Sequence, residues 1–381
     1  MSNRNRNKNG RNLNQTGTFF DYNLLFITLF MVCFGMVILY SASSYEASME
    51  FGDSKYYLMR QLVFVIFGLI SMVVCAIIDY RFYKIPFIAE GIYLVSALMV
   101  FMVKTPLGRT ANGASRWIGI GGASFQVCEA VKIAVIIIMA YLINKYARSL
   151  RKLRVFLICI AAEALLAALV LVLTKDLSST IIILGIGIIM LLVACPRFIY
   201  FVGIGLLGVL VFVGMILAEP YRLERVKVWL NPEKYSDEGG FQVLQSLYSL
   251  GSGGLFGKGL GNGIQKLGYV PEAQNDMIFT VICEELGVVG GIAVIAMFIF
   301  MIWRFMIISN NAPDLFGSML VVGVMSHVAV QALMNIAVVT NSMPNTGVTL
   351  PFMSYGGTSI FCLLIEIGMV LSVSKRIKYE Q

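Results

Sequence analysis

The sequence predicts an all-α integral membrane protein of about ten transmembrane helices, with a long outer loop between the seventh and eighth. Three observations carry this. The 381 residues are 58% hydrophobic and only 13% charged, against roughly 45–50% and 25% in a soluble domain. The mean hydropathy of +0.82 places most of the chain in lipid. Ten apolar runs follow one another, most of them close to the roughly 20 residues that cross a bilayer as a helix. This composition excludes a soluble enzyme, a disordered protein and a basic nucleic-acid binder, so no nucleic-acid partner is expected.

Residues 1–18 are mostly Asn, Arg, Lys, Gly and Gln and read as a disordered basic tail. No small-residue cleavage site follows the first apolar run, so the segment is not read as a signal peptide. The runs lie at about 23–43, 60–78, 85–103, 128–144, 155–173, 180–195, 198–218, 277–303, 315–340 and 357–374. A single helix over 180–218 would overshoot the bilayer, and Pro196-Arg197 interrupts it, so it reads as two helices and a tight turn. The chain thus divides into the tail, a polytopic membrane domain over 19–375, and a short second tail at 376–381.

Charge placement sets the expected orientation. If the N-terminus is cytoplasmic, the inner segments hold 16 Lys and Arg and the short outer segments 6. Short cytoplasmic loops are enriched in these residues, which favours both termini inside the plasma membrane. The seven cysteines sit in or beside apolar runs without CxxC spacing and read as buried thiols. A lone His327 cannot build a histidine metal cluster.

Two outer segments are too long and too rich in glycine and aromatics to be plain connectors: 104–127 and 219–276, the latter with a Gly-rich run over 251–263. That run lacks the Walker spacing, since Lys258 is followed by Gly259, so a nucleotide loop is rejected. The aromatics suggest segments folded back onto the membrane surface.

Ionisable groups within apolar runs are costly and mark functional candidates. Glu129 and Lys132 are spaced i, i+3 and share one helix face. They either orient two helices as an ion pair or line an outward cavity. Asp276 opens the eighth helix, as a cap favoured by the helix dipole or as a general base held at the membrane surface. Glu284, eight residues on, is expected to face the same cavity, whereas Glu90, Glu163 and Glu366 find no partner in the sequence. Arg60, Arg116, Arg222 and Arg225 on the outer side suit an anionic headgroup, or simply snorkel to the interface.

These residues resemble a known family, the SEDS proteins (shape, elongation, division, sporulation), from about residue 20 to 375. The similarity runs through the Asn112–Ile118 stretch with Phe125-Gln126 and Glu129. It continues through Arg225–Pro232, Gln242, Ser246, Ser252–Gly254, Pro271–Phe279 and Glu284–Gly287 to Pro344–Gly357. Val127-Cys128, Lys175–Thr180, Asn275 and Met277 depart from the family pattern but spare the ionisable residues.

The resemblance implies a SEDS-type helical bundle and a peptidoglycan glycosyltransferase. Its substrate would be lipid II, a disaccharide-pentapeptide on undecaprenyl pyrophosphate. Asp276 would be the catalytic residue, with Glu129, Lys132, Arg60, Arg116 and Ser354 contacting substrate. A weakly nucleophilic sugar hydroxyl needs a carboxylate base, and a pyrophosphate leaving group needs cations. These are Lys132, Arg60 and Arg116, supplemented by a divalent cation such as magnesium or manganese. The implied partners are a class B penicillin-binding transpeptidase and other division or elongation proteins. The Asn345–Gly347 wording leans toward the FtsW-like division branch. The rival readings are a lipid II flippase and a non-catalytic scaffold.

Overall fold

The computed structural model describes residues 17–111, 114–120, 123–218 and 220–379. Among them, ten apolar helices match the ten runs. They are α1 (Tyr22–Phe51), α2 (Tyr56–Ile77), α3 (Pro86–Met102), α4 (Val127–Lys145), α5 (Leu153–Thr174), α6 (Leu177–Ala194) and α7 (Ile199–Ala218), then α10 (Ile278–Asn310), α11 (Leu315–Val339) and α12 (Gly357–Ser374). Eight are long and apolar enough to cross a membrane; α3 and the apolar stretch of α7 are shorter. The protein is a multi-pass membrane protein.

Burial sorts the helices. In α4 and α12, 78% of the most apolar window is inside the protein, and in α11 67%, against 22% in α2. The centre is therefore built from α4, α11 and α12. Helix α2 packs along α12, and α11 packs on α4, α6 and α10. Helix starts are set by side-chain caps: Asp21, Asp176 and Asp314 accept from Leu24 N, Ser179 N and Gly317 N at 2.9–3.0 Å. The break at Pro196 is as expected, with α6 ending at Ala194 and α7 starting at Ile199.

Three expectations are corrected. Of the tail expected over 1–18, residues 1–16 lie outside the described residues, but Gly17–Phe19 form strand β1. It pairs antiparallel with β5 (Ile377–Tyr379), drawn from the supposed second tail. This brings the two terminal segments together on one face. The 104–127 segment is no open loop: β2 (Gly108–Ala111), β3 (Ala114–Ile120) and β4 (Ala123–Gln126) form an antiparallel sheet leading into α4. Asn112-Gly113 and Gly121-Gly122 lie outside the described residues. The 219–276 segment holds two helices, α8 (Pro220–Leu230) and the amphipathic α9 (Phe241–Ser252). Short strands and short amphipathic helices are both silent in a search for spans of about 20 residues, so both segments read as loops.

Helix α10 explains the Gly-rich run. Its 33 residues are interrupted at Gly287, with φ 71° and ψ −169°. The break strands backbone groups on either side, and the backbone of 254–259 satisfies them. Lys258 N and Gly259 N donate to the carbonyls of Glu284 and Glu285 at 3.0 and 2.9 Å; Val288 N and Val289 N donate to Gly254 O and Leu255 O at 3.0 and 3.2 Å. Irregular backbone inside a membrane protein requires such internal pairing. A Cβ at Gly253 or Gly257 would collide with the carbonyl of Cys283 or Glu285, so this approach needs glycine.

Candidate active site

The site lies at the α10 end opposite the paired termini. Asp276 stands one residue before the α10 cap position and is 6% exposed. It is not a cap: the cap position is Met277, with no side-chain hydrogen bond, and Asp276 Oδ1 has no hydrogen-bond partner. Burial pushes its pKa up to about 7; the neighbouring Glu272 adds to the rise and Arg225 opposes it. A carboxyl with one oxygen unpaired and a pKa near neutrality is suited to proton abstraction.

Its main chain is held firmly. Asn335 on α11 donates from Nδ2 to Asp276 O and to Val348 O, both at 2.7 Å. Tyr355 N donates to Gln274 O at 2.8 Å, and Gln274 Nε2 to Glu46 Oε1 at 3.0 Å. The connection between α11 and α12 passes close to the carboxylate, since a Cβ on Gly347 would stand 3.9 Å from Asp276 Oδ2. Arg225 Nη1 donates to Asn345 O at 2.7 Å, and Trp229 Nε1 to Asn341 O at 2.9 Å, so α8 braces this connection from outside.

Glu129 and Lys132 form the expected ion pair on α4, Nζ to Oε1 2.8 Å, with both side chains buried. Lys132 Nζ also donates to Gln331 Oε1 at 3.0 Å, and Gln331 Nε2 donates to Thr349 O at 3.1 Å. Glu129 Oε2 has no partner. Gln331 and Asn335 thus link the Lys132 ammonium and the Asp276 main chain to adjacent residues of one connection, Thr349 and Val348.

The other predicted residues are placed as follows. Ser354 is buried, and its Oγ accepts from Leu350 N at 2.8 Å, shaping the same turn. Arg60 is exposed at the start of α2, where it donates to the Tyr56 hydroxyl at 2.8 Å. Arg116 is on β3, with a buried Nε that has no partner. Among the described residues, neither arginine is hydrogen-bonded to Asp276, Glu129 or Lys132. Glu284 does not face this cavity. Its carboxylate takes Lys258 Nζ at 2.7 Å and the amides of Ile264 and Gln265, latching the Gly-rich run. Glu285 beside it takes Lys266 Nζ at 2.6 Å and the Ser41 hydroxyl at 2.7 Å. Glu366 has a partner after all, His327 Nδ1 at 2.8 Å. Gln331 and Asn335 escaped sequence reasoning; the available signal was uncharged polar residues one turn apart in an apolar run. Among the described residues, no three His, Cys, Asp or Glu side chains converge to hold a metal ion.

These features define an α-helical, multi-pass membrane protein with buried acidic and basic side chains, some of whose polar atoms lack partners, tied together through α11. The family model described as "Cell cycle protein", covering FtsW, RodA and SpoVE, matches residues 22–379, and the chain belongs to that family. It is 38% identical over 360 residues to stage V sporulation protein E of Bacillus subtilis, covering 94% of this chain and 98% of that one. It is equally identical over 360 residues to a probable peptidoglycan glycosyltransferase FtsW of Trichlorobacter lovleyi, covering 94% of each. The fold is similar to that of RodA, the rod shape determining protein of Thermus thermophilus, with TM-score 0.67, 25% identity and coverage of 94% and 97%. It is also similar to a chain from a structure on polymerization and crosslinking by a peptidoglycan synthase complex, with TM-score 0.75, 26% identity and coverage of 93% and 97%.

Proposed function

We propose that this chain is a peptidoglycan glycosyltransferase that polymerises lipid II, with Asp276 as general base. The observation that carries the reading is the buried carboxyl of Asp276, unpaired at Oδ1 and pushed up to about 7, at the opposite face from the termini. In the reaction, Asp276 takes the proton from the acceptor sugar hydroxyl. That oxygen attacks the anomeric carbon of the donor, and the bond to the polyprenyl pyrophosphate breaks. Lys132 meets the charge developing on the leaving group, with Glu129 fixing its ammonium. Arg60 and Arg116 are assigned to the outer rim of the substrate. No step is routed through a divalent cation.

An apolar groove of about 430 Å³ between α3, α4 and α12, lined by Phe87, Ile92, Met99, Ile133, Phe361 and Ile365, suits a stretch of polyprenyl chain. Ala130 and Ile133 of its lining flank the Glu129–Lys132 pair along α4. The distribution of Lys and Arg supports cytoplasmic termini and an active site at the outer surface. The synthase-complex similarity supports a crosslinking transpeptidase, of the class B penicillin-binding type, as partner. The Asn345–Gly347 wording supports work with other division proteins.

The test gives purified protein labelled lipid II, alone and with a candidate transpeptidase, with and without magnesium or manganese. Wild type yields a ladder of glycan chains on a gel and Asp276→Asn yields none. Activity rises as pH rises through about 7, because the base must be ionised. A folded wild-type protein that makes no ladder under any condition but moves lipid II across vesicles would replace this reading with the flippase.

A further inference from the structure

His327, Gln331 and Asn335 stand one helical turn apart down one face of α11. All three are buried, at 0%, 2% and 0% exposure. Their hydrogen bonds fix their orientations. Gln331 Nε2 points at the carbonyl of Thr349, which only accepts, so Oε1 faces Lys132, which only donates. His327 Nε2 lies 2.8 Å from the same Oε1 and must carry a proton. Its Nδ1 is tied to Glu366 on α12. Asn335 gives both amide hydrogens to carbonyls, those of Asp276 and Val348.

We propose that this stripe is the positioning element of the active site. Gln331 sets where the Lys132 ammonium stands, and Asn335 sets where the Asp276 main chain stands. The rigid turn of α11 between them fixes cation and base relative to each other. His327, held by Glu366, keeps the Gln331 amide in its sense. The inference rests on Asp276 as base and Lys132 as the pyrophosphate contact. Interhelical hydrogen bonds can also serve as simple glue between membrane helices. The two roles differ in what they do to kinetics.

The experiment measures kcat, KM and their pH dependence for wild type, Asp276→Asn, Asn335→Ala and Gln331→Met, with thermal unfolding of each in the same detergent. A small displacement of a reacting group costs on the order of 10²-fold. Asn335→Ala and Gln331→Met are expected to lose about 10–100-fold in kcat per folded molecule, with KM changed by less than about 3-fold. Asn335→Ala also lets water reach Asp276, so the midpoint of its acid limb moves down from about 7. The charged groups facing Asp276 are Glu272 on its own connection and Arg225 on α8, and both remain in the variant. Gln331→Met leaves that midpoint in place.

Mere glue would lower the unfolding temperature and the active fraction while kcat per folded molecule and the midpoint stay at wild type. That result overturns the proposal. If Asn335→Ala does not fold, Asn335→Ser, which keeps one donor, carries the test with a smaller shift in the same direction. Turnover by Asp276→Asn would remove the base assignment itself. An inactive Asp276→Asn beside wild-type kinetics in Asn335→Ala and Gln331→Met removes only the positioning role. A readout independent of turnover completes the set. The pH-dependent stability difference between wild type and Asp276→Asn shrinks in the Asn335→Ala background, and an unchanged difference counts against the proposal.

Discussion

The two ends of α10 hold buried charges under similar apolar cover, and they are built in opposite ways. At the end beside the termini, Arg304 meets Asp21 with Nη2 to Oδ2 at 2.6 Å and Nε to Oδ1 at 3.3 Å. Asp21 also accepts from Leu24 N, and its own amide donates to Ser374 Oγ. Both carboxylate oxygens are used. Near the other end, Asp276 Oδ1 and Glu129 Oε2 have no partner, and Arg116 Nε on the neighbouring sheet has none either. Buried polar atoms are nearly always paired, so these orphans stand out, as do those of Glu163 and Glu366 elsewhere in the bundle. The first region trades charge for a fixed geometry between α1, α10 and α12. The second leaves buried charged groups incompletely bonded.

That contrast makes the second region sensitive in activity and the first in stability. The largest expected effect is at Asp276. Loss of a general base costs about 10²–10⁴-fold in turnover, so Asp276→Asn should eliminate detectable glycan ladders. The same change should stabilise the protein above pH 7. A carboxyl whose folded pKa is raised to about 7 favours the fold while protonated, and that contribution is lost as pH rises from the unfolded value through about 7. The neutral amide escapes this loss, a gain of up to about 4 kcal/mol at pH 8, read by thermal unfolding. A variant no more stable than wild type at that pH would break the contrast from the active-site side.

Next is the lock beside the termini. Arg304→Met leaves the buried Asp21 without its cation, holding only the Leu24 amide, a loss of about 3–5 kcal/mol. Turnover per folded molecule should not change, and Asp21→Asn added to Arg304→Met should recover much of the stability. A specific loss of turnover instead would mean that the two ends are coupled. Smaller again is the latch on the Gly-rich run. Glu284→Gln weakens bonds from Lys258, Ile264 and Gln265, at about 1.5–3 kcal/mol for a charged acceptor. Tryptic cleavage at Lys258 and Lys266 should accelerate. The smallest effect belongs to the Lys84–Asp314 pair, 3.4 Å apart and partly exposed. Lys84→Ala should change stability by less than about 1 kcal/mol.

The sequence and the structure agree where the signal is local. Each apolar run became a helix, because a segment that long must satisfy its own backbone in lipid. The i, i+3 spacing of Glu129 and Lys132 led directly to their ion pair. Agreement failed where the partner is distant. Glu284 is eight residues from Asp276, and helical periodicity put both on one cavity. Gly287 breaks the helix just beyond, and the carboxylate instead holds the folded-back glycine run. Glu366 lacked a partner because His327 lies on another helix, 39 residues away.

The sequence by itself determined the membrane class, the ten apolar helices, the family and the Glu129–Lys132 ion pair, since these depend on composition, helical period and residue identity. Only the tertiary structure decided that Asp276 is no cap, that β1 and β5 join the terminal segments, and that Gln331 bonds the Lys132 ammonium while Asn335 bonds the Asp276 main chain. Those facts depend on which buried donors meet which acceptors across helices, and hydrogen bonds between residues far apart in the chain leave no periodicity to read.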